Sequence, residues 1–184
     1  MGHGAPTTPI YGMVRSQLHE AASPGSRPHE LLAHLHQHMR RHGHPNVFMT
    51  LTLMILDVES LTADFAVGGP PCPLLYRHGS CGPLTDRFDW TLGYPFEGIA
   101  FHSETMSVMH GDTFLFYTDG LSEAVRGPDP ERDTLGVDRL SVIFARLCGA
   151  SSSGIADGVF RGVQEFRSSW PAEDDATALI VRVR

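Results

Sequence analysis

The chain contains no lysine: each of its 14 basic residues is an arginine. That removes Schiff-base catalysis and lysine-phosphate chemistry from consideration at the outset. Cysteine is scarce as well, with Cys72, Cys81 and Cys148 odd in number and without a Cys-x-x-Cys pair. Reduced thiols in a cytoplasmic setting are expected, and neither a disulfide framework nor a thiolate zinc site. Cys72 and Arg77 have four residues between them, one short of the Cys-x5-Arg phosphate cradle of cysteine phosphatases. No run approaches the roughly 20 apolar residues of a membrane span, and no signal peptide is visible, so no membrane partner is expected. With a net charge of −7 the chain has no nucleic-acid footprint.

What is present is an ordinary globular composition, 41% hydrophobic and 19% charged over 184 residues. This suits one domain with a real core. The most informative stretch runs from Gly111 to Ala124, Gly-Asp-Thr-Phe-Leu-Phe-Tyr-Thr-Asp-Gly-Leu-Ser-Glu-Ala. A short apolar run between turn signals reads as a strand covered on both faces, with Phe114 and Phe116 buried. Asp119 then stands at the strand exit, and Gly120 permits a tight turn or a close backbone approach. Near the C-terminus Glu173-Asp174-Asp175-Ala176-Thr177 precedes a second β-rich run, Ala178 to Val183. If the two strands are antiparallel neighbours, Asp119 and Asp174 meet at one sheet edge. Clustered carboxylates repel unless a cation neutralises them, and Mg²⁺ or Mn²⁺ prefers such oxygen ligands.

The rest of the chain alternates helix and strand signals. Helices are expected at Pro6–Ala22, Pro28–His42, Val137–Cys148 and Ile155–Phe166, the second with Leu31, Leu35 and Met39 as its buried stripe. That second helix also carries His29, His34, His36, His38 and His42. His34, His38 and His42 share one face, and zinc is conceivable there. Without a carboxylate or cysteine at ligand spacing, a solvated histidine-rich face is the favoured reading. Asn46–Asp57 reads as a long strand, Thr62–Val67 as its hairpin partner, and Leu74–Arg77 and Phe101–Met109 as further strands. Cys81–Glu97 is expected to be rich in loops, and Gly127–Asp133 to form a polar flap.

The two acidic strings resemble the bacterial branch of the PPM (type 2C-like) metal-dependent serine/threonine phosphatases, typified by the stage II sporulation protein E and RsbU phosphatases. The family shows Gly-Asp, an apolar strand, Thr-Asp-Gly and Thr/Ser-Glu-Ala, then Asp-Asp-φ-Thr before the last strand. Phe48, Thr50, Leu51 and Asp57 also match a family strand. The resemblance covers nearly all of the chain. It implies an α/β fold, a PPM-type β-sandwich flanked by helices in α-β-β-α order. It further implies two Mn²⁺ or Mg²⁺ ions, with Asp119 and Asp174 as catalytic metal ligands. Asp175, Gly120 and Thr118 would stand close by, as would Gly2, His3 and Gly4 of a Gly-His-Gly metal motif.

In the family that motif follows an aspartate, which by this register falls two positions before Met1. The chain would then be an N-terminally truncated domain over residues 1–184, lacking its first strands and the bridging aspartate. On that reading its own activity is impaired. The family's Ala-Gly-His-x-Pro step here reads Val67-Gly68-Gly69-Pro70-Pro71, with Gly69 in place of the histidine near the phosphate site.

Relatives dephosphorylate a phosphoserine on an anti-sigma-factor antagonist in partner-switching control. They use the first two helices as a regulatory and dimerising element, often behind an upstream sensor or receiver domain. The contrasting reading is a non-catalytic, degenerate module that docks a sigma-factor regulator or another protomer.

Overall fold

The computed structural model describes residues 7–43, 47–127 and 133–184. They fall into two compact units, Met1–Pro70 with Arg87–Ser107, and Pro71–Asp86 with Val108–Arg184. Each is built on an antiparallel sheet flanked by helices, so the expected mixture of helix and sheet is present.

The first unit begins with helices α1 (Thr7–Ala21) and α2 (Pro28–His42). Pro28 occupies the first turn of α2, where its missing N–H costs nothing, and Glu30 accepts the Arg27 backbone N–H at 3.1 Å. Leu32, Leu35 and Met39 of α2 are almost wholly buried and pack with Val14 of α1 against Ala66, Leu92 and Phe101. Each such side chain contributes about 1.5–3 kcal/mol relative to an exposed position.

The sheet has the order β1 (Leu51–Asp57), β2 (Thr62–Gly68), β5 (Glu104–Ser107). The first strand is shorter than expected. Of the expected additional stretch, Asn46 lies outside the described residues, and Met49 instead exchanges backbone hydrogen bonds with Leu92 at 3.0 and 2.8 Å. The ladder stops because β2 ends at Gly68 and the next residue, Gly69, has φ +85°. The strand expected from Phe101 shrinks to β5 because the residues before it are held sideways. The His102 N–H donates to Asp89 at 2.6 Å, and Ser103 Oγ accepts the His29 N–H at 3.0 Å.

In the second unit β3 (Leu74–Arg77) turns back through His78-Gly79 into β4 (Ser80–Pro83). Both turn residues have positive φ, 52° and 82°, as a two-residue hairpin requires. This hairpin replaces part of the segment read from sequence as loop. Beyond β3 lie β6 (Thr113–Tyr117) and β9 (Ala178–Arg182), giving the order β4-β3-β6-β9. A single helical turn, α3 (Asp119–Ser122), follows β6, and a short β7 (Val125–Arg126) pairs with β8 (Asp133–Thr134). Helices α4 (Gly136–Leu147) and α5 (Ser152–Arg167) complete the unit. Their Leu140, Phe144, Ile155 and Val159 are fully buried and pack with Leu74, Leu115 and Leu121. The four expected helices are therefore present with ends displaced by a few residues, and Pro6 lies outside the described residues.

Phe114 is fully buried and Phe116 half-buried, as a covered strand demands. The Gly-Asp that opens the motif is a structural anchor. Asp112, 2% exposed, takes two hydrogen bonds from the Arg77 guanidinium and one from the Met109 N–H at 2.8 Å. Burial alone would push its carboxyl up; the Arg77 contacts and the Met109 N–H more than offset this and hold it below the ordinary range.

The histidines of α2 divide. His34, His38 and His42 do form a ring series on one face, with centroids 6.5 and 4.7 Å apart. His36 departs from the expected solvated face: it is 8% exposed and its Nδ1 accepts the Gly93 N–H at 3.2 Å. His29 is half-buried against Ser103. All three cysteines are free thiols.

Candidate metal centre

The antiparallel register of β6 and β9 places Tyr117 opposite Ala178. The residues just beyond β6 and just before β9 are therefore neighbours, and the structure ties them together. The Thr118 N–H donates to the Thr177 carbonyl at 3.1 Å. Thr118 Oγ1 accepts the Thr177 N–H at 2.9 Å and donates to the Asp175 carbonyl at 3.5 Å. One threonine thus clamps both turns through backbone and side chain.

Gly120 is the second contact. A Cβ built on it would lie 2.4 Å from the Asp175 carbonyl oxygen and 3.0 Å from its carbon. Real carbon atoms do not approach so closely, so only glycine lets the two turns touch. Its φ is not in the left-handed region; proximity alone selects it. The helical turn after Asp119 is closed by the Glu123 N–H on the Asp119 carbonyl at 2.7 Å and by Ser122 Oγ at 3.3 Å.

Asp119 and Asp174 consequently come from adjoining turns at one end of the β6–β9 pair. Both are exposed. Oδ1 of Asp119 accepts the Gly120 N–H at 3.1 Å, and Oδ1 of Asp174 accepts the Asp175 N–H at 2.6 Å. These bonds fix the orientation of each carboxylate. Asp175 enters differently from the expectation for an acidic neighbour: its backbone carbonyl meets Thr118 and Gly120, while its side chain is exposed.

The donor chemistry suits Mg²⁺ or Mn²⁺, hard ions that accept a few carboxylates and keep several waters. The set is partial. Among the described residues no group of three or more histidine, cysteine, aspartate or glutamate side chains is arranged to hold an ion. The residues present fit a divalent ion as part of its ligand shell, and complete no shell of their own. Gly2, His3 and Gly4 lie outside the described residues.

Sequence reasoning missed two further features of this unit. Most of the expected flap, 128–132, lies outside the described residues, but its base is defined. Asp133 in β8 pairs with Arg126 of β7 at 2.8 Å and also with Arg139 of α4. Both guanidinium groups lie 5.3 Å from the Phe166 ring centre. The signal was available: an acid flanked by arginines with an aromatic on the next helix. Tyr117, directly before Thr118, has a buried hydroxyl with no hydrogen-bond partner among the described residues. Burial, with some contribution from Cys72 and Cys81, pushes that phenol up to about 12.

A family model for stage II sporulation protein E (SpoIIE) matches residues 1–184. The SiaA PP2C domain of Pseudomonas aeruginosa superposes with a TM-score of 0.82 at 22% identity, covering 100% of this chain and 71% of that one. The RsbU and RsbW domains of a Mycobacterium tuberculosis protein give 0.76 at 24% identity, over 99% of this chain and 50% of theirs. The SpoIIE phosphatase domain of Bacillus subtilis, in a manganese-presoaked form, gives 0.55 at 16% identity, over 100% and 76%. No curated protein sequence matches the chain. With the family model spanning every residue and the fold shared with these domains, the chain belongs to the stage II sporulation protein E family and is a PP2C-type serine/threonine phosphatase domain.

Proposed function

We propose that this domain hydrolyses phosphoserine on a protein substrate and uses Asp119 and Asp174 as ligands to Mn²⁺ or Mg²⁺. The observation that carries the reading is the clamp of Thr118 and Gly120. It brings two carboxylate turns, 55 positions apart in sequence (174 − 119), to one sheet end. A bound pair of such ions supplies an acidified water and neutralises phosphoryl charge, which this slow reaction needs. The chain's own part is to hold hard oxygen donors rigidly. Thr118 fixes the separation of the turns, Gly120 admits the Asp175 backbone, and the following N–H groups orient each carboxylate.

The substrate we favour is an anti-sigma-factor antagonist in the cytoplasm. Support comes from the Mycobacterium tuberculosis relative, in which RsbU and RsbW domains occur together. No helix among the described residues is long and apolar enough to cross a membrane. A family aspartate upstream of Met1, with a sensor or receiver domain beyond it and a homodimer through α1 and α2, belongs to the same proposal.

One observation favours a second reading, a phosphatase-like docking module without turnover. At Gly69 a Cβ would lie 2.6 Å from Thr91 Cγ2 and 2.9 Å from Thr50 Cγ2, and φ is +85°. The position that relatives fill with histidine is closed to a side chain here.

One experiment decides between them. A protein that includes the residues upstream of Met1 is assayed on p-nitrophenyl phosphate and phosphoserine peptides across Mn²⁺ and Mg²⁺ titrations. Metal-dependent hydrolysis is expected, and Asp119→Asn or Asp174→Asn should each lower it by about 100-fold or more, as loss of transition-state charge stabilisation of this kind does. A folded protein inactive at every metal concentration overturns the enzyme reading in favour of the docking module.

A further inference from the structure

The first unit carries a cluster of aromatic rings that the phosphatase reading does not use. Phe48 meets Tyr94 edge-on at 5.9 Å, and Trp90, Tyr94 and Phe96 lie 4.9–5.4 Å apart. Phe48, Trp90 and Phe96 are 51%, 54% and 52% exposed. Isolated exposed aromatics are ordinary on a protein surface, whereas a contiguous group of rings marks an interaction site. The group is also stiff. Gly93, between Trp90 and Tyr94, has φ +79°, and a Cβ there would lie 2.7 Å from the Val47 carbonyl. The Gly93 N–H is held by His36 Nδ1, and burial, then Arg40, keeps that imidazole below the ordinary histidine range and able to accept.

Phe96–Ile99 forms a ridge with a hollow on each side, of about 350 Å³ against α2 and about 500 Å³ against Phe88 and Trp90. The α2 wall is one helical stripe, positions 33, 36, 37, 40 and 41, and it ends in Arg40 and Arg41. Both arginines are exposed, and neither makes an ion pair among the described residues. Two acids line the hollows. Asp89 is held by His102, through the backbone N–H at 2.6 Å and Nδ1 at 2.9 Å, in the hollow against Phe88 and Trp90, while in the α2 hollow Glu97 faces two guanidinium groups. On a chain of net charge −7 the α2 hollow, with two arginines and one glutamate, therefore has the opposite sign.

We propose that this face docks an acidic peptide segment of a partner protein, with a bulky apolar side chain of the segment on the Trp90–Phe96 rings and its carboxylates on Arg40 and Arg41. Arginine beside aromatic anchors is the usual composition of an energetic interface centre. The charge also weighs against a second copy of this chain, since a two-fold contact would oppose the arginines of one protomer to the same arginines of its partner.

The test uses the 184-residue chain without metal, so its outcome is separate from that of the hydrolysis experiment. Binding of a short fluorescein-labelled peptide, glutamates flanking a Leu-Phe pair, is followed by anisotropy. The comparison peptides carry lysines for the glutamates or Ser-Ser for Leu-Phe. The parent peptide should bind, the two comparison peptides should not, and Trp90→Ala and the Arg40→Gln/Arg41→Gln pair should each weaken binding by about tenfold or more. Circular dichroism checks that these surface variants keep their fold. Absence of binding, equal binding of the lysine peptide, or indifference to the substitutions overturns the proposal. So does a dimer in sedimentation velocity that Trp90→Ala dissolves while no peptide binds, which assigns the face to a second copy.

Discussion

Replacing Asp112 by alanine should cost the second unit about 3 kcal/mol. The carboxylate is 2% exposed and is held by two hydrogen bonds from Arg77 and one from the Met109 N–H. Breaking a buried ion pair by removing one partner costs about 3–5 kcal/mol. The lower end applies because the Arg77 side chain is 26% exposed and can recover water once its partner is gone. For a chain of this length, each kcal/mol moves the melting temperature by about 2–4 °C, so a fall of about 6–12 °C is expected. Thermal unfolding at pH 7 measures it.

The same pair has a pH signature. Asp112 is held below its ordinary 3.8 in the fold, so its stabilisation is complete above the unfolded value and is lost as pH falls through the lower folded value. The gap between parent and Asp112→Ala should therefore be constant from pH 7 to about pH 5 and close in stronger acid. The control is Asp119→Asn, an exposed carboxylate of the same motif, which without metal should leave the melting temperature within about 1 °C. A loss below about 1 kcal/mol for Asp112→Ala, or additive effects of Arg77→Ala and Asp112→Ala in a double-mutant cycle, would refute the reasoning.

Three further outcomes follow from the geometry. Gly120→Ala must displace the Asp175 backbone by about 1 Å and should cost about 1–3 kcal/mol as an overpacked contact, with a parallel loss of Mn²⁺ affinity by calorimetry. Unchanged stability and affinity would show that the turns are free to part. Replacing His34, His38 and His42 together by glutamine should leave thermal stability nearly unchanged, and zinc should not stabilise the parent; a zinc-dependent rise lost in the triple variant would reveal a site. Tyr117→Phe removes a buried hydroxyl that has no partner and should be neutral or stabilising by about 1 kcal/mol in urea denaturation. A clear destabilisation would show that the hydroxyl has a partner.

The parts of the fold that sequence made legible are those where local pattern and tertiary demand agree. The apolar run 113–117 between Gly111 and Thr118 had to be a covered strand, and Pro28 with the Leu31, Leu35 and Met39 stripe had to open a helix. That Asp119 and Asp174 lie in adjoining turns was readable because one strand ends where the other begins. The hairpin strand Ser80–Pro83 was not, since glycine and proline weaken its β signal and the His78-Gly79 turn is what folds it onto β3. Nor was the burial of His36. It lies one position past the Leu35 stripe, and its reason is a backbone N–H 57 residues away. The Arg77 partner of Asp112 has the same character, a contact across 35 residues with no local trace.

These long-range contacts explain why the acidic motif is so long. Thr118 clamps, Asp119 presents the carboxylate proposed as a ligand, and Gly120 leaves room for Asp175, so each letter of Thr-Asp-Gly has a separate physical task. A metal ligand, however, is only as well placed as the strand that carries it. Strand β6 is fixed at its exit by Thr118 on Thr177, and at its entrance by Asp112 on Arg77 at the end of β3. Between the two anchors Phe114 and Leu115 are fully buried, which leaves the strand no freedom to slide. The Gly-Asp at the entrance therefore belongs to the same device as the Thr-Asp-Gly at the exit. One carboxylate is buried and paired to hold the strand, and the other is exposed and oriented by the Gly120 N–H, where the proposed function needs an ion ligand.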